Sequence, residues 1–60
     1  MLYDICVMGC ETYNGIKAKS EDKAKQIALD YFKDDDMWFQ TEEAEKASIK
    51  DCEIIWKEEE

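Results

Sequence analysis

Three thiols and a run of carboxylates are the groups in this 60-residue sequence with the most chemical potential. Cys6, Cys10 and Cys52 could act as nucleophiles or soft metal ligands, and Asp34-Asp35-Asp36 could hold a hard cation. Both chemistries need companions. A cysteine attacks as its thiolate, so it needs a base or cation beside it. The sequence contains no histidine, the commonest general base and metal ligand. Cys6 and Cys10 fall in or beside an alternating apolar stretch, where a free cysteine behaves as a small buried side chain. The cysteine spacing is not that of a zinc knuckle. The aspartates lack the twelve-residue loop, with its required glycine, that calcium-binding hands use. Paired carboxylates need a cleft to move their pKa values apart. The expectation is a protein with no catalytic residues, no metal and no cofactor, and therefore not an enzyme.

Carboxylates outnumber lysines by 16 to 8, for a formal charge of −8. Residues 1–33 are neutral overall, so the entire excess lies in residues 34–60. Such a surface repels phosphates, which argues against direct nucleic-acid or anionic-membrane binding and favours a basic protein partner. No apolar run approaches the roughly 20 residues of a membrane span. An odd number of cysteines and an opening Met1-Leu2-Tyr3-Asp4 without a signal-peptide pattern predict a cytoplasmic protein with free thiols.

The elements that must position these groups follow from periodicity. A chain of 60 residues is one thin-cored domain. Tyr3, Ile5 and Val7 alternate with Leu2, Asp4, Cys6 and Met8, which predicts a strand over 2–10. Asn14-Gly15 is a strong hairpin signal, because a type I′ turn requires positive φ at both central residues. A second strand follows over 15–19. That register puts Glu11 on the apolar face, a conflict that a bulge at Gly9-Cys10 would relieve.

Ser20 is a good N-cap, with Glu21 and Asp22 placed to favour the helix dipole, so a helix spans 21–33. Its inner stripe reads Ala24, Ile27, Ala28 and Tyr31. Thr41 can cap a short helix over 41–47, a stretch whose residues suit a loop equally, and a last strand covers 49–57. In that strand Cys52, Ile54 and Trp56 share a face while Ile55 points outward. The fold class is α+β, a β-β-α-β chain forming a three-stranded, mainly antiparallel sheet. Right-handed crossover favours the strand order 2-1-3, with the helix on one face.

Tyr3-Asp4-Ile5-Cys6-Val7, then Ile16-Lys17-Ala18-Lys19-Ser20-Glu21-Asp22-Lys23-Ala24 and Ile27-Ala28, resemble the strand–strand–helix opening of DpnD/PcfM-like proteins. The resemblance covers the first half of the chain, and the second half departs from it. It implies a hairpin leading through an Ala-x-Ser step into a helix with alanines on its inner face. It also implies an origin in a phage or mobile element, and it brings no catalytic residues. In size and acidity the chain is similar to phage-encoded inhibitors of host defence, anti-CRISPR proteins among them, which occupy basic nucleic-acid-binding or target-recognition surfaces.

The expected function is an acidic protein-binding module that acts as such an inhibitor on a nucleic-acid-handling partner. Asp34, Asp35, Asp36, Glu42, Glu43, Glu45, Asp51 and Glu53 would supply the electrostatics. Trp38 and Phe39, flanked by charge, would either close the open end of the thin core or serve as apolar anchors for the partner, while Tyr3, Tyr31, Phe32 and Trp56 read as core. Alternate strand residues rise about 6.8 Å against about 3.4 Å between phosphates on one DNA strand, so any mimicry of DNA would be loose. The alternative is a structural homo-oligomer or adaptor, a homodimer in its simplest form, in which copies complete each other's core.

Overall fold

Side-chain burial alternates along Leu2–Val7, which forms strand β1 with Tyr3, Ile5 and Val7 facing inward. A period of two puts successive side chains on opposite faces, as the sequence pattern requires. The computed structural model describes residues 1–34 and 42–59. After β1 come β2 (Glu11–Lys17), α1 (Glu21–Asp34), a short helix α2 (Glu42–Lys46), a 3-10 turn (Ile49–Asp51) and β3 (Cys52–Glu58). The strands pair in the order β2-β1-β3, and both pairings are antiparallel. This is the α+β arrangement and the strand order that the sequence predicts.

The hairpin turn, however, is not at Asn14-Gly15. The chain reverses at Met8-Gly9, where φ is 55° and 69° and the Cys10 N–H donates to the Val7 carbonyl at 3.2 Å. β1 therefore ends at Val7, and β2 begins at Glu11. The physical reason is register. With the turn at Met8-Gly9, Ile5 pairs with Tyr13 and Tyr3 with Ile16, which brings the apolar residues of both strands to one face. Glu11 stands opposite Val7 and is half-buried, so its predicted conflict with the apolar face is only displaced to the sheet's end.

Asn14-Gly15 instead forms the bulge. Between the Tyr3–Ile16 and Ile5–Tyr13 pairs, Asp4 alone faces two residues of β2. Gly15 has a φ of 69°, and its N–H donates to Asp4 Oδ1 at 3.0 Å. A second irregularity lies at the same level of β1, where Asp4 pairs with Trp56 and Ile5 with Ile54, leaving Ile55 as the extra residue of β3. β3 itself starts at Cys52, later than expected, because Ser48 begins the 3-10 turn. Its N–H donates to Asp51 Oδ2 at 2.8 Å, and the Asp51 N–H returns to the Ser48 carbonyl at 2.9 Å.

Ser20 caps α1 as predicted, its Oγ accepting the Lys23 N–H at 3.2 Å. The buried stripe is Ala24, Ala28, Leu29 and Phe32. Relative to the expected stripe it is rotated by about one position. Phe32 is buried in place of Tyr31, which is 57% exposed, and Ile27 is half-buried. The small side chains of Ala24 and Ala28 leave room for the helix to lie close over the sheet, and Phe32 fills the space further along. The core is thus Tyr3, Ile5 and Val7 against these helix residues, closed by Ile16, Ala47 and Cys52.

A Cβ added at Gly15 would meet nothing within 4 Å, so a substitution there is opposed by backbone conformation alone. Gly15→Ala should cost about 1–2 kcal/mol in urea denaturation, and Asp4→Ala about 1 kcal/mol through loss of the acceptor. Asp4→Asn, which keeps an acceptor oxygen, should be close to neutral.

Candidate functional site

The acidic residues nominated from sequence do not converge on one spot where they are described. Asp34 ends α1 and lines a groove with Tyr13, Ile27 and Tyr31, beside β2. Glu53 sits on β3, the opposite edge of the sheet, paired with Cys6. Glu42 is tied to Lys46 one helical turn on, at 2.7 Å. Asp51 holds the Ser48 N–H, and Glu45 is exposed on α2. Asp35, Asp36, Trp38 and Phe39 lie outside the described residues, as does the side chain of Glu43. Two of the nominated acids thus have local structural partners, and a third is separated from a fourth by the width of the sheet.

A different surface comes together on the face of the sheet turned away from α1. Opposed residues of an antiparallel pair point to the same side. Cys6 is flanked by Thr12 and Glu53, and Leu2 by Lys17 and Glu58. Between those rows Asp4 stands opposite Trp56. The bulge at Ile55 causes this last pairing. Without the extra residue, Trp56 would continue the inward phase of Cys52 and Ile54; with it, Trp56 shifts to the open side. Ile55 is 53% exposed and Trp56 46% exposed, so Trp56 is not the core residue that alternation predicts. The sequence carried one signal of this. Ile54-Ile55-Trp56 places three large apolar residues in succession, which a regular half-buried strand cannot bury on one side.

Charge surrounds this apolar pair. Asp4, Glu53 and Glu58 make no ion pair among the described residues, and Lys57 bridges to Glu21 at 3.6 Å. Lys57 pairs with Tyr3, which puts it on the helix side. The open face therefore offers an indole next to three carboxylates, with Ile55 exposed in the bulge beside it and Lys17 across Leu2 on the far strand.

On the other side of β2, Tyr13 and Tyr31 stack at 6.0 Å between ring centroids, with planes 26° apart. They line an open groove of about 720 Å³ with Ile16, Ile27, Lys17 and Asp34. This stack explains why Tyr31 tolerates exposure: its ring is covered on one side by another aromatic.

The thiols occupy three separate environments. Cys10 is exposed at the turn, Cys6 is half-buried on the open face, and Cys52 is buried on the helix side. No group of three or more histidine, cysteine or acidic residues among the described residues could hold a metal ion. Likewise, no described helix is long and apolar enough to cross a membrane. Burial, and secondarily the Asp51 carboxylate, push the Cys52 thiol above its ordinary value of 9.0, while Lys25 pulls the other way. The Cys52 thiol also donates to the Lys25 carbonyl, at 3.7 Å. Such a thiol is a poor nucleophile.

Iodoacetamide should therefore modify Cys10 first and Cys52 last in the native protein, read by intact mass over time. The fold favours the neutral form of Cys52. Its contribution to stability is present below the unfolded-state pKa and lost as pH rises through the raised folded-state value. The stability difference between the wild type and Cys52→Ala should shrink as pH rises above about 9; a constant difference in denaturation midpoints would contradict this. Comparison with protein-family models, with curated proteins and with solved structures finds no match for this chain.

Proposed function

We propose that the chain is an acidic protein-binding module whose partner presents a basic, nucleic-acid-binding surface. The observation that carries this reading is the open sheet face, where Trp56 remains exposed, with Ile55 exposed in the bulge beside it, near the carboxylates of Asp4, Glu53 and Glu58, which make no ion pair among the described residues. Large apolar side chains rimmed by charge are the composition of an interface centre. The net charge of −8, concentrated in residues 34–60, supplies long-range attraction to a basic surface and repulsion from nucleic acid. An inhibitor of phage type, blocking the nucleic-acid site of a host defence protein in the manner of anti-CRISPR proteins, fits this size and charge. Trp56 and Ile55 replace Trp38 and Phe39 as the principal anchors in this reading.

The same uncovered face also supports a second reading, self-association of two copies. Like charge opposes it, since a two-fold contact centred on Trp56 would bring the carboxylates of both copies into one interface.

Affinity capture from a bacterial lysate at low salt, followed by identification and purification of the retained protein, tests the first reading. The expected partner binds nucleic acid, is released by competing DNA or RNA, and loses affinity steeply as salt rises from about 50 to about 200 mM. Glu53→Lys/Glu58→Lys should weaken that binding at least tenfold. Retention indifferent to salt and to competitor nucleic acid would reject the proposal. A dimer in sedimentation at micromolar concentration, lost in Trp56→Lys, would favour self-association instead.

A further inference from the structure

We infer that Trp56 and Asp4 together form a receptor for an arginine side chain of the partner; this rests on the reading of the open face as a docking surface for a basic protein. Asp4 and Trp56 are directly opposed across β1 and β3. Opposed residues of an antiparallel pair hold their Cβ atoms about 4.5–5.5 Å apart on one face. An indole and a carboxylate at that spacing can engage one guanidinium at once.

Trp56 is 46% exposed, and tryptophan is the most favourable aromatic for a cation placed over its ring. Asp4 is not a loose surface acid. The Gly15 N–H bond at 3.0 Å fixes Oδ1, and no other bond or ion pair to this carboxylate occurs among the described residues. Its remaining lone pairs are open to a second donor.

Geometry favours arginine over lysine. A guanidinium is planar, so it can lie against an indole while its N–H groups reach sideways to a carboxylate. An ammonium is a compact, strongly hydrated point charge that does not stack. Glu58, two residues beyond Trp56 along β3, lies about 6.6–6.8 Å away on the same face and supplies a second carboxylate to the outer side of the guanidinium. Ile55, exposed in the bulge next to Trp56, offers apolar surface to the methylene stem of the same side chain. The bulge is essential here. It sets Trp56 across from Asp4 rather than on the helix side.

The test uses the full chain, isotopically labelled, titrated with three glycine-spaced peptides carrying arginine, lysine or the neutral arginine isostere citrulline. The readouts are affinity and the Trp56 indole N–H resonance, assigned with Trp56→Phe. The arginine peptide should bind most tightly and shift that resonance, the lysine peptide should bind about 3- to 10-fold more weakly, and the citrulline peptide should not bind measurably. Trp56→Leu, which keeps an apolar side chain, should weaken arginine binding about 3- to 30-fold and leave lysine binding nearly unchanged. Asp4→Asn retains the acceptor for Gly15 and should still weaken the arginine peptide, with backbone resonances showing that the fold persists. Equal affinity for arginine and lysine with an unmoved indole resonance overturns the receptor while leaving a basic partner in place. Failure of both cationic peptides to bind at low salt removes the basic-partner reading and the receptor with it.

Discussion

The bond from the Gly15 N–H to the Asp4 carboxylate sits where both neighbours of the central strand slip register. On one side two residues of β2 face Asp4, and on the other Ile55 is the extra residue of β3. Bulges increase local twist and bend the strands that carry them. Two of them at one level put both irregularities on a single line across the sheet. On one side of that line lie Ile5 and Val7 with their partners Tyr13 and Cys52; on the other lie Tyr3, Ile16 and Lys57. Tyr3, Ile5 and Val7 all face inward even so, because the irregularities are carried by the edge strands and leave β1's own alternation intact.

One face of this sheet is covered by a single helix of modest length. Three strands and the 14 residues of α1 enclose the core, with Ala47 closing it. Ala24 and Ala28 bring the helix close, and Phe32 and Leu29 fill the remaining volume. Nothing among the described residues covers the other side of the sheet. Its apolar content is the residue of this economy: the register change that aligns Tyr3 with Lys57, and so with Glu21 on the helix, necessarily exposes Trp56. Structure on one face and binding potential on the other thus share one cause.

Much of this was legible in the residues. The inner face of β1, the Ser20 cap and the strand order all follow from local rules that nothing contradicts. The misplaced turn follows from ambiguity in one rule. Asn-Gly announces positive φ, and both a tight turn and a bulge require positive φ; Gly9 offered the same freedom eight residues from the chain start. What decided between them was the pairing of Ile5 with Tyr13, a contact across the sheet that no local pattern contains. The helix stripe had the same kind of uncertainty, since Tyr31 and Phe32 are adjacent and only one can point inward. For the candidate site, the charge asymmetry was readable, but its centre was not. Trp56 obeys alternation in sequence and escapes it in space, because an inserted residue in an edge strand changes which side every later residue faces.

The position of β1 at the middle of the sheet also shapes how the chain reaches this structure. β2 follows β1 after three residues, so that hairpin closes on the microsecond scale of local events. β3 arrives only at Cys52–Glu58, and its pairing must wait for a much larger loop to close. During that interval the inner strand has one partner and one bare row of amide groups, the template on which unfinished copies tend to stick together. The surplus of carboxylates lies in the late-arriving half, residues 34–60, which includes the strand that eventually covers this row. Two immature molecules therefore approach one another with their negative halves unsheltered. Mutual repulsion between these halves opposes their association at that stage, before the mature surface exists.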